Sequence, residues 1–279
     1  MSTKKIVLAG LFLGCGWPVL WGVEEPKVEG EKAQTFLFLG DSITRAGGYV
    51  RSIATELGKQ NPTNPPRVIN HGRNSETISN LSEPYHPGRR PCVLSRLDQE
   101  LATAKPDWLV ACYGINCGIY HPFNEKRLAA YQAGIEILIK KAQASGSQLI
   151  LLTPPPYAKD GPPLPDGISK TVGEKLLSKA NAEAELEAEK NPNKFGYRTP
   201  YAYYDRVMAR YADWLLTLDG RKNLWVIDIR GPMLARSAET HGRDPIHPNG
   251  RGHLIMAEAF LKKWPMVKAS VEKASKEYP

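Results

Sequence analysis

Two short segments near opposite ends of the sequence contain the side chains that nucleophilic catalysis requires. Residues 40–44 (GDSIT) include Ser42, and residues 244–250 (DPIHPNG) include Asp244 and His247. A serine hydroxyl is a poor nucleophile at neutral pH, and it needs a neighbouring base that a third group holds in place. Asp244 and His247 are three positions apart, so the carboxylate can fold back onto the imidazole within one turn. These residues predict a hydrolase whose nucleophile is Ser42.

Each segment also has an alternative interpretation. The GDSIT segment could be a helix cap or a turn, because Asp, Ser and Thr favour both. His241, Asp244, His247 and His253 offer nitrogen and oxygen ligands at spacings that a metal site could use. Since serine, aspartate and histidine occur together, catalysis by Ser42 is favoured over both alternatives. We expect no metal and no cofactor.

The elements that would position these residues alternate between short apolar runs and longer helical patterns. The predicted strands are residues 35–39, 67–70, 107–113, 148–153 and 223–229. The predicted helices are residues 49–59, 93–104, 125–144, 201–217 and 249–264. This alternation predicts an α/β fold with a parallel sheet and helices on both faces, in which sites form beyond the carboxyl ends of the strands. Ser42, Asn116 and the 241–250 loop follow predicted strands, so one shared site is expected.

The composition is that of an ordinary globular protein. A length of 279 residues suits one α/β domain with an insert, and 42% hydrophobic residues are enough for a normal core. The formal net charge of +8 could favour an acidic polymer as partner. The Lys and Arg residues are dispersed, however, whereas a nucleic-acid groove requires a clustered stripe. We therefore expect no nucleic-acid partner.

The first 22 residues have the anatomy of an export signal. Lys4 and Lys5 precede the apolar residues 6–13, and acidic residues first occur after position 22. The apolar stretch is too short for a convincing membrane span, so we expect none in the mature chain. Residues 14–15 (GC) leave open a lipoprotein signal. The chain is predicted to be exported to the periplasm or the extracellular space, or to be anchored as a lipoprotein.

The rest of the chain divides into a linker, one domain and a tail. Residues 23–34 are the predicted linker, residues 35–264 the domain and residues 265–279 a polar C-terminal tail. Two proline-rich regions interrupt the domain pattern. Residues 80–91 are interpreted as a surface loop, and residues 154–200 as an insert after the fourth strand that could overhang the site.

Three of the four cysteines lie within the predicted domain. Cys92, Cys112 and Cys117 contain no CxxC pair, so a structural zinc site is not expected. Their odd number argues against a disulfide scaffold. Cys92 and Cys117 could still pair in an oxidising compartment, and Cys112 is expected to be a buried strand residue.

The serine segment, the aspartate–histidine segment and residues 114–116 (GIN) resemble the conserved blocks of the SGNH hydrolases, also called the GDSL esterase and lipase superfamily. The resemblance covers roughly residues 35–260. It implies a three-layer α/β/α fold with a five-stranded parallel sheet of flavodoxin-like topology. It also implies that Ser42, Asp244 and His247 form the catalytic triad of a carboxylic ester hydrolase.

The same resemblance assigns an oxyanion hole to the backbone N–H groups of Ser42 and Ser75 and to the side-chain amide of Asn116. The sequence departs from the family pattern at two positions. Ser75 stands where the family usually has a glycine, and Cys117 stands where the third block usually ends in aspartate. A backbone N–H survives the first change unless the position needs a positive φ, which serine resists.

Other polar and aromatic residues near the predicted site are candidates for substrate contact. The candidates are Asp41, Arg45, His71 and His121. Tyr197 and the aromatic residues of 201–214 could form a platform for a sugar. The spacing within 201–214 is helical, so helix packing is favoured for that part.

The resemblance implies ester hydrolysis through an acyl-enzyme, with His247 as the base. The family hydrolyses lipid esters, thioesters and acyl groups on sugars. This chain lacks a long apolar segment that would insert into lipid, and Tyr and Arg residues surround its predicted site. A polar acyl ester is therefore expected, above all an acylated carbohydrate, as for an acetylesterase. The alternatives are a lipase-like or thioesterase-like acylhydrolase and a non-catalytic carbohydrate-binding relative.

Overall fold

Five strands form one parallel sheet at the centre of the protein. The computed structural model describes residues 32–159 and 161–277, so the predicted export signal and most of the linker lie outside the described residues. The strands are β1 (Thr35–Gly40), β2 (Arg67–Asn70), β3 (Trp108–Cys112), β4 (Gln148–Leu152) and β5 (Leu224–Ile227). Every neighbouring pair is parallel, and the spatial order is β2-β1-β3-β4-β5. This is the flavodoxin-like order, and it confirms the predicted fold class.

Helices connect the strands and cover both faces of the sheet. They are α1 (Ser42–Ala46), α2 (Gly48–Gln60), α3 (Leu97–Ala104), α4 (Glu125–Ala144), α5 (Lys170–Lys190), α6 (Tyr204–Leu216), α7 (Arg230–Leu234), α8 (Ser237–Thr240) and α9 (Gly250–Glu277). Helix α9 packs against α2, and α4 packs against α3 and, through Tyr131 and Tyr211, against α6. Because helices cover both faces, β1 and β3 are buried along their whole length.

Aromatic side chains attach α9 to the sheet. Successive residues of a strand point to opposite faces, so Phe36 and Phe38 face the same helix. The Phe36 ring lies 5.3 Å from that of Trp264, and the Phe38 ring lies 6.3 Å from that of Phe260. Trp264 also meets Trp108 of β3 edge to face at 4.7 Å. The last helix is therefore part of the core.

Helix α9 continues beyond its predicted end at Trp264. Pro265 lies inside the helix, which extends to Glu277 through most of the predicted tail. Proline lacks the N–H that would bond one turn back, and this usually ends a helix. Val267 is buried against the core just after the proline, and that burial supports the continuation. None of the helices in the described part of the chain is long and apolar enough to cross a membrane.

We predict that Trp264→Ala lowers the free energy of unfolding by about 3–5 kcal/mol, because it removes a large aromatic side chain from the core. Met266→Ala is the matched control on the same helix, since Trp264 is 4% exposed and Met266 is 71% exposed. Chemical denaturation should place the Met266 variant within about 0.5 kcal/mol of the wild type. Equal losses in the two variants would contradict the assignment of Trp264 to the core.

Candidate active site

Ser42 is the first residue of helix α1 and lies just beyond the carboxyl end of β1. Asp41 caps this helix, because its Oδ1 accepts a hydrogen bond from the N–H of Ile43 at 2.9 Å. The turn between strand and helix is tight at Gly40. A Cβ there would lie 2.0 Å from Oγ1 of Thr44, so only glycine fits. This turn presents Ser42 at the edge of the sheet where sites of parallel sheets form.

Ser42, His247 and Asp244 are hydrogen-bonded in a line. Oγ of Ser42 lies 2.8 Å from Nε2 of His247, and Nδ1 of His247 lies 2.6 Å from Oδ2 of Asp244. When the imidazole proton is on Nδ1, Nε2 is free to accept the hydroxyl proton of Ser42. This geometry can activate a serine nucleophile.

The aspartate of this line is held by its own loop. Oδ1 of Asp244 accepts hydrogen bonds from the N–H groups of Ile246 at 2.8 Å and His247 at 3.3 Å. Partial burial alone would raise the pKa of Asp244, but these bonds and the His247 side chain outweigh burial and lower that pKa. The carboxylate therefore stays ionised at neutral pH, where it can orient the imidazole and stabilise its protonated form.

A cavity of about 390 Å³ opens beside Ser42. It brings together residues from both ends of the chain, from the 80–91 region and from the predicted insert. Its walls are formed by Ser42, Asn74, Ser75, His86, Pro87, Arg90, Asn116, Tyr120, Tyr197, Ile246 and His247. The insert also touches the histidine loop, because the N–H of Ala158 donates to the carbonyl of Pro245 at 2.8 Å. The three predicted oxyanion donors all line this cavity.

Asn116 follows β3 and is buried at the cavity wall. Its Oδ1 accepts hydrogen bonds from Nη1 of Arg90 at 3.1 Å and from the hydroxyl of Tyr120 at 2.9 Å. Its Nδ2 donates to the backbone carbonyl of Glu76 at 3.3 Å. Two donors at Oδ1 fix which end of the amide is oxygen, and the second N–H of Nδ2 remains for the cavity.

Ser75 has a backbone φ of +61°, in the left-handed region. The position therefore does require the positive φ that a serine resists, and the residue adopts it at a typical cost of about 1–2 kcal/mol. Arg90 Nη1 donates to the Ser75 carbonyl at 3.3 Å. Such strain persists only where surrounding contacts over-determine the backbone.

The four candidate substrate contacts lie outside the cavity lining. Asp41 is buried beneath the serine turn, and Arg45 is exposed on α1. His71 lies 2.5 Å from a carboxylate oxygen of Glu100. His121 is buried against the predicted insert. Their polar groups therefore do not converge on Ser42 in this structure, and substrate contact by any of them stays a prediction.

Two buried residues at the back of the site were not predicted from the sequence. Arg90 and Glu83 belong to the 80–91 region, interpreted above as a surface loop, yet their side chains are 2% and 0% exposed. They form a two-point ion pair, with Nε of Arg90 to Oε2 of Glu83 at 2.6 Å and Nη2 to Oε1 at 2.7 Å. No periodic pattern marks a buried loop residue, and prolines around the pair suggest an exposed turn.

The structure also bears on the alternative metal site and on the cysteines. Within residues 32–159 and 161–277, no group of three or more His, Cys, Asp or Glu side chains could hold a metal ion. His253 instead stacks on Tyr49, with the rings 6.1 Å apart.

Cys92, Cys112 and Cys117 are free thiols, so the Cys92–Cys117 pairing is not formed. Sulfur Sγ of Cys117 accepts the N–H of Ile78 at 3.4 Å, which ties it to the segment after Ser75.

Comparison with known proteins gives consistent matches. Residues 38–255 match the GDSL-like lipase/acylhydrolase family model. An acetylxylan esterase from Geobacillus stearothermophilus is 23% identical over 256 residues, which is 84% of this chain and 94% of that protein. A solved catalytic mutant of Axe2, an acetylxylan esterase from the same organism, has a TM-score of 0.51 at 20% identity, over 83% of this chain and 94% of that one. A gut microbial diltiazem-metabolizing enzyme has a TM-score of 0.51 at 21% identity, over 83% of this chain and 46% of that one.

We predict that Asp41 makes the stability of the fold fall as pH rises from about 4 to 7. Burial raises the pKa of Asp41 from 3.8 to about 7, although the hydrogen bond from Ile43 partly opposes it. The folded state therefore binds a proton that the unfolded state has released, so folding loses free energy across this window. Asp41→Asn keeps a cap oxygen and removes the titration.

Urea denaturation at several pH values between 4 and 8 tests this effect. The difference in unfolding free energy between Asp41→Asn and the wild type should grow in favour of the variant by at least about 1 kcal/mol as pH rises. Parallel pH profiles for the two proteins would show that Asp41 does not titrate in this range.

Proposed function

The chain belongs to the GDSL-like lipase/acylhydrolase family of SGNH hydrolases, and we propose that it hydrolyses a polar acyl ester through an acyl-enzyme on Ser42. It is a carboxylic ester hydrolase, as the sequence resemblance implied. The proposal for the site is carried by one observation: the hydrogen-bonded line from Ser42 through His247 to Asp244, at 2.8 and 2.6 Å, beside a cavity.

In the proposed reaction, Oγ of Ser42 attacks the ester carbonyl carbon while Nε2 of His247 takes the hydroxyl proton. Asp244 stabilises the imidazolium that forms. The resulting oxyanion accepts hydrogen bonds from the N–H groups of Ser42 and Ser75 and from Nδ2 of Asn116. Removing one such donor typically costs about 3–4 kcal/mol of transition-state stabilisation.

The second half of the proposed reaction returns the enzyme to its starting state. The imidazolium of His247 gives its proton to the alkoxide oxygen of the leaving alcohol, and the acyl group remains on Ser42. A water molecule then attacks the acyl carbonyl while His247 takes its proton. Collapse of this second intermediate releases the carboxylic acid and returns the proton to Ser42.

We propose an acylated carbohydrate with a short acyl group as the substrate. The cavity is small and is bounded by the buried side chains of Arg90, Asn116 and Tyr120, which are fixed by hydrogen bonds. The rings of His86 and Tyr197 also line it, and such rings suit the faces of a sugar. The acetylxylan esterase relative supports this class of substrate. Export, as residues 1–22 predict, would bring the enzyme to polymeric glycans.

We predict that Ser42→Ala lowers the turnover of 4-nitrophenyl acetate at least about 10³-fold, because the nucleophile is lost. The variant should also resist labelling by a serine-directed phosphonate. Ser52→Ala is the matched control, because the Ser52 hydroxyl donates to the Gly48 carbonyl within α2 and Ser52 does not line the cavity. Undiminished turnover by purified Ser42→Ala would refute the proposed nucleophile.

We further predict that kcat/KM falls at least about tenfold from acetyl to octanoyl esters, because the cavity wall formed by Arg90, Asn116 and Tyr120 is held by hydrogen bonds and does not adapt to a longer chain. Acetylated xylooligosaccharides should release acetate under the same conditions. Rising activity with chain length would favour a lipase-like enzyme instead. Binding of the glycan with no turnover of any ester would favour a non-catalytic carbohydrate-binding protein.

A further inference from the structure

Asn116 needs an external group to fix the orientation of its amide. The two ends of an asparagine amide have nearly the same shape, so packing alone does not decide which end faces the cavity. In this structure Oδ1 accepts hydrogen bonds from Nη1 of Arg90 and from the Tyr120 hydroxyl, and Nδ2 donates to the Glu76 carbonyl at 3.3 Å; Arg90 is the charged partner among the three. A rotated amide would place Nδ2 against the Arg90 guanidinium, which is a donor only.

The same nitrogen of Arg90 also fixes the backbone at Ser75. Its Nη1 lies 3.1 Å from Oδ1 of Asn116 and 3.3 Å from the carbonyl oxygen of Ser75. The Ser75 backbone is in the left-handed region and therefore needs contacts that retain it there. One guanidinium group thus contacts two of the three residues proposed to bind the oxyanion.

Glu83 fixes the position of the guanidinium itself. Its two carboxylate oxygens bind Nε and Nη2 of Arg90, and neither side chain is accessible to solvent beyond 2%. The Tyr120 ring lies 5.5 Å from the guanidinium carbon. Burial alone would raise the pKa of Glu83, but the hydrogen bonds from Arg90 outweigh it and lower that pKa. The pair therefore stays charged at neutral pH.

We propose that Arg90 is a positioning residue for catalysis, which holds Asn116 and Ser75 in the geometry that binds the oxyanion. The inference rests on the proposed function of the site. Oxyanion donors must be preorganised to stabilise developing charge, since reorganisation during the reaction would weaken their effect. A charged donor at Oδ1 also polarises the amide, and this strengthens the opposite N–H as a donor.

Arg90→Lys tests the role of the guanidinium while keeping a cation beside Glu83. Lysine has one ammonium group without the fixed directions of the guanidinium, so it can pair with Glu83 but does not reproduce the bonds of Nη1. With 4-nitrophenyl acetate we expect kcat to fall about 10–100-fold and KM to change less than about threefold, because the lost interaction acts in the transition state. A rise in KM with kcat unchanged would overturn the proposal.

Arg230→Lys is the matched control. Arg230 is a buried arginine whose Nη2 binds Asp205 at 2.6 Å, and it does not line the cavity. The same chemical change at this partly buried ion pair should leave kcat within about twofold of the wild type. An equal loss of kcat in both variants would show a general structural effect and would overturn the proposal.

A double-mutant cycle with Asn116→Ala asks whether Arg90 acts through Asn116. The kcat loss caused by Arg90→Lys should shrink several-fold when Asn116 is already alanine, because the group that Arg90 positions is absent. An equal kcat loss in the two backgrounds would overturn the proposed route. If Arg90→Lys does not fold, Arg90→Met with Glu83→Leu removes both charges and serves as the replacement in the same cycle.

The side-chain amide of Asn116 gives a readout that does not depend on turnover. Its 15N–1H resonances, assigned by their loss in Asn116→Asp, should shift in Arg90→Lys and stay in place in Arg230→Lys. Unmoved resonances in Arg90→Lys would overturn the positioning role. If the wild type hydrolyses no ester, the proposed function fails, whereas these resonances still report whether Arg90 orients Asn116.

Discussion

A buried guanidinium needs a carboxylate partner, and the ion pair of Arg90 with Glu83 that meets this need positions the residues at the back of the site. Arg90 and Glu83 have almost no contact with water, so each charge would be very unfavourable without the other. Their two-point pairing leaves one guanidinium nitrogen for Asn116 and Ser75, and a Glu83 oxygen also accepts the N–H of Tyr197 at 3.2 Å. Segments distant in sequence thus meet at one ion pair in the cavity wall.

The two sides of the site differ in their contact with solvent. The side chains of Asp244 and His247 are 53% and 42% exposed, whereas Asn116 and Arg90 are buried. In the proposed reaction the leaving alcohol and the attacking water both exchange protons with His247, so an accessible imidazole suits those steps. The proposed oxyanion donors would act best where water is excluded, because hydrogen bonds to charge are stronger there. The difference arises because Asp244 and His247 lie on a surface loop, whereas Asn116 and Arg90 belong to the packed wall of the cavity.

Local patterns were enough to predict the sheet and the catalytic candidates. Most of the strands are apolar runs with clear ends, and the three-residue spacing of Asp244 and His247 places both in one turn. The burial of Arg90 was not predictable in this way, because Glu83 lies in the same irregular 80–91 region, where no periodic pattern marks a buried pair, and Asn116 lies in another part of the chain. The helix end was also missed, since Pro265 is a local stop signal that core contacts of the following residues override.

The serine at position 75 and the buried arginine are physically related. A residue other than glycine in the left-handed region typically costs about 1–2 kcal/mol, and this cost must be offset by contacts in the folded state. A hydrogen bond from a charged donor contributes about 1.5–3 kcal/mol, and less where it is long, as at 3.3 Å between Arg90 and the Ser75 carbonyl. The bond is thus of the right size to retain the strained backbone. A serine in this conformation therefore makes the geometry of the proposed site depend more on Arg90 than a glycine at position 75 would.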